Sequence, residues 1–220
     1  MTNDRTSAAF DPAPRWDPDF CEDMLFGHTL PQSWEGRWHI GVRCRDEDRS
    51  CVLTVWHAEG CRWKARLRCD GMIGKNGSGK LVEGDARTPC GTFRLRGAYG
   101  ILPDPGSRLP YLQVTDDMYW RADGTCGDYN TLGYASRLGP HADLSNDEHL
   151  ADYGADNGGL YNYFIDIGYN AEGLPYAGSA VFLHCWRAKG SPTGGCVAVL
   201  QDDMLRILRM VEPGALITIY

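Results

Sequence analysis

Apolar and polar residues in this chain alternate with a period of two over many short stretches. Arg62 to Cys69 is one of these; Cys51 to Trp56 also reads as a strand, and His57-Ala58-Glu59-Gly60 between them predicts a hairpin. In the second stretch Arg62, Lys64, Arg66 and Arg68 alternate with Trp63, Ala65 and Leu67, which reads as a strand with one wet face. Further strands are expected over Thr92 to Leu95, Leu112 to Thr115, Tyr163 to Tyr169, Val197 to Leu200 and Leu216 to Tyr220. Ala180 to Cys185 is apolar almost throughout, so a strand buried on both faces is expected there. One segment changes period. Met204, Leu205, Ile207, Leu208 and Val211 make a helical stripe, Asp202 and Asp203 favour its start, and Pro213-Gly214 stops it. Many short strands and one clear C-terminal helix predict a mostly-β domain, a sandwich or mixed β fold, without strand–helix–strand alternation.

The stretches between these elements also carry information. Gly71 to Gly91 is rich in glycine and reads mainly as loop. Residues 121–160 form a long insertion rich in Gly, Asp, Asn and Tyr, with one helical turn expected near Asp147 to Tyr153. A loop of that length in a compact domain usually lines a site. Residues 1–35 read as an irregular N-terminal extension, with Trp16, Trp34 and Trp38 packing it onto a domain over residues 36–220.

Composition narrows the classes of function. The chain has 220 residues and a net charge of −7, which suits one ordinary globular domain and argues against a nucleic-acid surface. No segment is long and apolar enough to span a membrane. Met1 to Arg15 is polar, with Pro12 and Pro14, and has no apolar core of a secretory signal. The nine cysteines are an odd number, so one thiol stays free even if all others pair; nine reduced thiols are equally compatible. No Cys-x-x-Cys occurs, so no metal site is expected. His184 and Cys185 are adjacent on a strand and point to opposite faces, so they do not share an ion.

The chemistry concentrates near the C-terminus. The apolar run Phe182-Leu183 ends in His184, and Thr193-Gly194-Gly195 leads into Cys196 and a second apolar run. Such a layout sets a thiol and an imidazole at the ends of two neighbouring strands, a pairing that makes an activated nucleophile at neutral pH. The glycine turn exposes the sulfur and frees the N–H groups of Gly195 and Cys196 to face a developing oxyanion. The same two residues also fit a packed core, since free cysteine often behaves as a small hydrophobe.

These residues belong to a wider pattern. Gly74-Lys75-Asn76-Gly77 and then Glu83-Gly84-Asp85-Ala86-Arg87-Thr88-Pro89-Cys90-Gly91-Thr92-Phe93 resemble a G-x-N-G … G-D-x-x-T-P-x-G-x-F segment. Asp128-Tyr129-Asn130 resembles the stretch before the active-site region. Gly178-Ser179-Ala180-Val181-Phe182-Leu183-His184 resembles a G-S-x-I-F-x-H strand, and Thr193-Gly194-Gly195-Cys196 an [S/T]-x-G-C turn. Together, over about residues 70–220, the chain resembles a divergent branch of the YkuD-type L,D-transpeptidases, cysteine enzymes that cross-link peptidoglycan. Two positions depart from the better-known members. Gly194 stands where they carry a second histidine, and Ala198 where they carry an arginine. The segment from His184 to Cys196 is also shorter, and its Arg187 or Lys189 is a candidate to replace that arginine.

The resemblance implies a mechanism without a cofactor. Cys196 attacks an amide, His184 takes and returns the proton, and a thioester forms. The implied donor is a peptidoglycan stem tetrapeptide cut before its terminal D-alanine. An amine acceptor makes the enzyme a transpeptidase, and water makes it a carboxypeptidase. Substrate contacts are expected from Arg187, Asp128, Tyr129 and Asn130. Asp123 or Asp128, or a backbone carbonyl, is expected to orient His184. The resemblance places the protein at the cell wall, whereas the N-terminal sequence is equally compatible with the cytoplasm. Another cysteine peptidase or amidase, or a non-catalytic cell-wall-binding module, stays open.

Overall fold

The three longest strands follow one another at the start of the described residues. The computed structural model describes residues 36–59, 62–139 and 142–220. Strands β1 (Trp38–Arg45), β2 (Ser50–Glu59) and β3 (Arg62–Met72) make an antiparallel meander. His57, Ala58 and Glu59 thus continue β2 instead of turning; the residues at the tip, 60–61, lie outside the described residues. On β3, Trp63 and Leu67 are buried while Lys64, Arg66 and Arg68 are exposed. A bulge interrupts the alternation: Val55 faces Leu67 but Trp56 faces Ala65, so Ala65 is exposed. The expected extension over residues 1–35, with Trp16 and Trp34, lies outside the described residues; Trp38 starts β1 and is buried.

The other strands of this sheet are β4 (Gly91–Arg94), β5 (Gly97–Gly100), β6 (Tyr111–Gln113), β10 (Phe164–Asp166), β11 (Phe182–Cys185), β12 (Val197–Val199) and β13 (Leu216–Ile219). The ten run in the order β4-β13-β1-β2-β3-β12-β11-β10-β5-β6. β11 and β12 lie parallel, as do β13 and β1, and β5 and β6. Both β11 and β12 are buried along their whole length, as fits short parallel strands covered on both faces. β3 closes onto β12 at Gly71, where a Cβ would stand 2.9 Å from the Ala198 carbonyl oxygen.

A second sheet, β7 (Met118–Trp120), β8 (Leu132–Tyr134) and β9 (Glu148–His149), is built largely from the long insertion. A one-turn helix α1 (Ala135–Leu138) and two 3-10 turns, Leu150–Tyr153 and Ala155–Asn157, complete it. The first of these turns falls where a helical turn was expected. Arg121 and Asp147 fasten this unit by a buried ion pair, and Asp128 adds a second carboxylate to Arg121 at 3.0 Å.

Two apolar clusters lie on opposite faces of the site-bearing strands. In the first, Ile165, Leu183, Val197 and Val199 pack with Met204, Ile207 and Leu208 of helix α2 (Gln201–Leu208). Each such side chain, once buried, stabilises the fold by about 1.5–3 kcal/mol. In the second, Phe164, Phe182 and Cys196 pack with Leu150 of the insertion and with Trp120 and Tyr161, which flank it. β10 therefore shows no apolar–polar alternation: Phe164 and Ile165 are neighbours on opposite faces, and both faces are dry. α2 links β12 to β13, but three strands separate these two in the sheet, so no βαβ unit forms.

Candidate active site

The parallel register of β11 and β12 sets the chemistry. Leu183 pairs with Val197 and His184 with Ala198, which brings Phe182 level with Cys196. Side chains two apart share a face, so Cys196 and His184 stand on one face, a single pleat apart. The Phe182 N–H donates to Cys196 Sγ at 3.3 Å, and the thiol donates to the Ala180 carbonyl at 3.2 Å. Both residues line a cavity of about 550 Å3 beneath the insertion, a volume typical of small-ligand sites.

The turn before Cys196 is held from several sides. Gly195 has φ 144°, and a Cβ there would stand 2.9 Å from the Arg87 carbonyl oxygen. Thr193 and Thr88 hydroxyls both donate to the Cys196 carbonyl, at 2.6 and 3.2 Å. Thr193 also pairs with the Gly74 segment through Thr193 N to Ile73 O and Lys75 N to Thr193 O. The Asn76 side chain donates to Asp85 O, and Asp85 accepts the N–H groups of Leu81, Val82 and Arg87. The glycine-rich segment and the Gly-Asp-x-x-Thr-Pro segment thus form the bed on which the cysteine turn rests.

His184 is oriented by its own strand. Nδ1 lies 2.7 Å from the Cys185 carbonyl oxygen. A carbonyl only accepts, so Nδ1 carries the proton and Nε2 keeps a lone pair. Asp123 and Asp128 do not orient it: Asp123 bonds Thr125 and Asp128 pairs with Arg121. Burial holds the His184 imidazole down at about 4, and the same cause pushes the Cys196 thiol up to about 12. Both groups are therefore neutral at rest, and a resting thiolate–imidazolium pair is disfavoured.

The expected binding residues divide. Arg187 lines the cavity, exposed at its rim, and donates to Asn157. Lys189 points instead to Asp70 on the surface. Asp128, Tyr129 and Asn130 do not line the cavity. Tyr129 is buried, donates to Glu83 and accepts the Gly178 N–H. Asn130 accepts Trp120 Nε1 and the Ala180 N–H, and donates to the carbonyls of Tyr169 and Asn170. The polar atoms of both are engaged within the protein, by backbone and by the Glu83 and Trp120 side chains. Of the two expected oxyanion donors, the Gly195 N–H is engaged by the Thr193 hydroxyl at 3.1 Å.

Several polar residues of the cavity were not anticipated, among them Lys80, Glu83, Glu148 and Tyr161. Glu148 accepts from the Tyr161 hydroxyl, and burial, with Glu83 nearby, pushes its carboxyl up to about 7. The length of the insertion signalled a site wall, but nothing local singled out Glu148. Among the described residues no group of three or more His, Cys, Asp or Glu side chains is arranged to hold a metal. Seven cysteines are free thiols, and Cys21 and Cys61 lie outside the described residues.

The fold agrees with what sequence comparison finds. The chain belongs to the YkuD family: the model of its L,D-transpeptidase catalytic domain matches residues 65–219. Among curated proteins there is no match. Solved structures that the chain matches include three with TM-scores below 0.5. The helical cell shape determining protein Pgp2 of Campylobacter jejuni, as its K307A mutant, is 14% identical, with a TM-score of 0.46, over 85% of this chain and 48% of that one. Bd1075 of Bdellovibrio bacteriovorus is 17% identical, with a TM-score of 0.44, over 87% and 50%. Unmutated Pgp2 is 12% identical, with a TM-score of 0.40, over 86% and 51%. The chain thus spans about half the length of the solved structures that it matches. Among the described residues no helix is long and apolar enough to cross a membrane.

Proposed function

We propose that the protein is a cysteine acyltransferase acting on peptidoglycan stem peptides at the cell wall, with Cys196 as nucleophile and His184 as base. The observation that carries this is the tautomer of His184. Its Nδ1–H is spent on the Cys185 carbonyl, which leaves Nε2 as a proton acceptor on the face that it shares with Cys196. Membership of the YkuD family supports the same chemistry.

Because both groups are neutral at rest, the proton moves as the bond forms. Sγ of Cys196 attacks the amide carbonyl carbon of the donor while its proton passes to His184 Nε2. The oxyanion takes the Cys196 N–H, joined by the Gly195 N–H once it leaves Thr193. The C–N bond then breaks, the leaving amine takes the proton from His184, and the acyl group stays on sulfur as a thioester. An amine of a second stem resolves it in L,D-transpeptidation, forming a 3-3 cross-link or exchanging the terminal D-amino acid. Water resolves it in an L,D-carboxypeptidase. Product analysis separates the two: a disaccharide-tetrapeptide with wild type gives a cross-linked dimer or D-amino-acid exchange, and Cys196→Ala gives neither. Tripeptide alone, even with an excess of amine acceptor, would replace transfer by hydrolysis. No product of either kind would refute both.

A further inference from the structure

Lys80 is a buried cation of the cavity to which the mechanism above gives no task. Its side chain is 3% exposed. An ammonium has three N–H donors. One goes to Asp85 Oδ1 at 2.9 Å, and no other protein acceptor of Nζ is found among the described residues. Asp85 does not belong to Lys80 alone. The N–H groups of Leu81 and Val82 hold its Oδ2, and Arg87 N shares its Oδ1. Against its partial burial, these amides together with the Lys80 ammonium hold Asp85 far below the usual carboxylate range. An ammonium taken out of water with part of its donors unused is costly, and a ligand carboxylate would complete it.

The backbone is cleared around this ammonium. Gly178 and Gly195 both have positive φ, 119° and 144°. A Cβ at Gly178 would stand 2.4 Å from Lys80 Cε, and one at Gly195 3.6 Å from Nζ. Nζ therefore reaches the residue just before Cys196, on the cavity side. Arg187, the other cation among the lining residues, is exposed at the rim and bonded to Asn157.

We propose that Lys80 Nζ is the carboxylate site of this cavity and takes the α-carboxylate of the residue that leaves from the scissile amide. This rests on the acyl-transfer reading and adds what the chain selects in a donor: a free carboxylate one residue beyond the carbonyl that Cys196 attacks. Lys80 touches the leaving group and sets specificity; it moves no proton.

Alkylation of Cys196 tests this without turnover. Iodoacetate and iodoacetamide react alike, sulfur displacing iodide, but only the first carries a carboxylate. The exposed Cys90 of the same chain is the internal reference. The iodoacetate-to-iodoacetamide rate ratio at Cys196 should exceed that at Cys90 by about tenfold, the scale of one charge-assisted hydrogen bond. Lys80→Met should bring it down to the Cys90 value. If Lys80 served only to favour the thiolate, its loss in Lys80→Met would slow both reagents equally and leave the ratio unchanged; that overturns the proposal. So does a wild-type ratio no higher than that of Cys90, a comparison that needs no variant to fold. A high ratio without thioester formation from a tetrapeptide would retain the carboxylate site and refute the acyl-transfer reading instead.

Discussion

The side-chain oxygen of Asn130 accepts the N–H of Ala180 at 3.1 Å, and so holds the residue whose carbonyl receives the Cys196 thiol. Ala180 has φ 51°, a left-handed conformation that costs a residue with a Cβ about 1–2 kcal/mol. Asn130 is what keeps it there, and it also satisfies Trp120 Nε1 at 2.8 Å. Asn130→Ala leaves the buried Trp120 Nε1 unpaired, at about 1–3 kcal/mol, and the part-buried Ala180 N–H as well. Urea unfolding should show a loss on that scale, with slower alkylation of Cys196 under native conditions. Unchanged stability and reactivity would mean that Asn130 only closes a turn.

The two glycines of the nucleophile turn should behave oppositely. Gly195→Ala forces a Cβ to within 2.9 Å of a carbonyl oxygen at φ 144°. A strain of about 1–3 kcal/mol follows, and the turn moves to relieve it. Thioester formation should fall by a factor of about 10–100. Gly194 is exposed, and a Cβ there meets nothing within 4 Å. Gly194→Ala should change stability by less than about 0.5 kcal/mol and leave acylation intact. Equal losses in both variants would contradict this geometry.

Burial of His184 has a thermodynamic consequence. Its imidazole titrates at about 4 in the folded protein, against 6.5 unperturbed. Between these values the unfolded chain binds a proton that the native state refuses. This contribution to stability is therefore present above pH 6.5 and lost as pH falls toward 4, by up to about 1.4 kcal/mol per pH unit. His184→Asn carries no such proton. Unfolding free energies measured at several pH values should fall more steeply for wild type than for the variant within that window, and run parallel above it. Parallel curves throughout would show an imidazole that titrates normally.

The thiol and imidazole that meet in the cavity were legible because their signals are local. A glycine turn between apolar runs marks Cys196, and the end of an apolar run marks His184. The mostly-β class and α2 were legible from period alone. The parallel pairing of β11 with β12 was not, because pairing depends on what covers each face and not on the strand's own residues. Asn130 and Tyr129 were misplaced for a similar reason. In sequence they are turn residues beside a site, and only the fold shows their polar atoms engaged by Glu83, Trp120 and the backbone of 169–170 and 178–180. Lys80 and Glu148 reach the cavity from segments far from Cys196 in sequence, so no spacing announces them.

The central claim is that Cys196 forms a thioester with the help of His184. Intact-mass spectrometry of wild type, Cys196→Ala and His184→Asn after mixing with a disaccharide-tetrapeptide tests it most directly. The account predicts an adduct equal to the donor less its terminal D-alanine on wild type, none on Cys196→Ala, and one formed at least about a hundredfold more slowly on His184→Asn. No adduct on wild type, with Cys196 as slow to alkylate as the buried Cys185, would contradict it and favour a module that binds without catalysis.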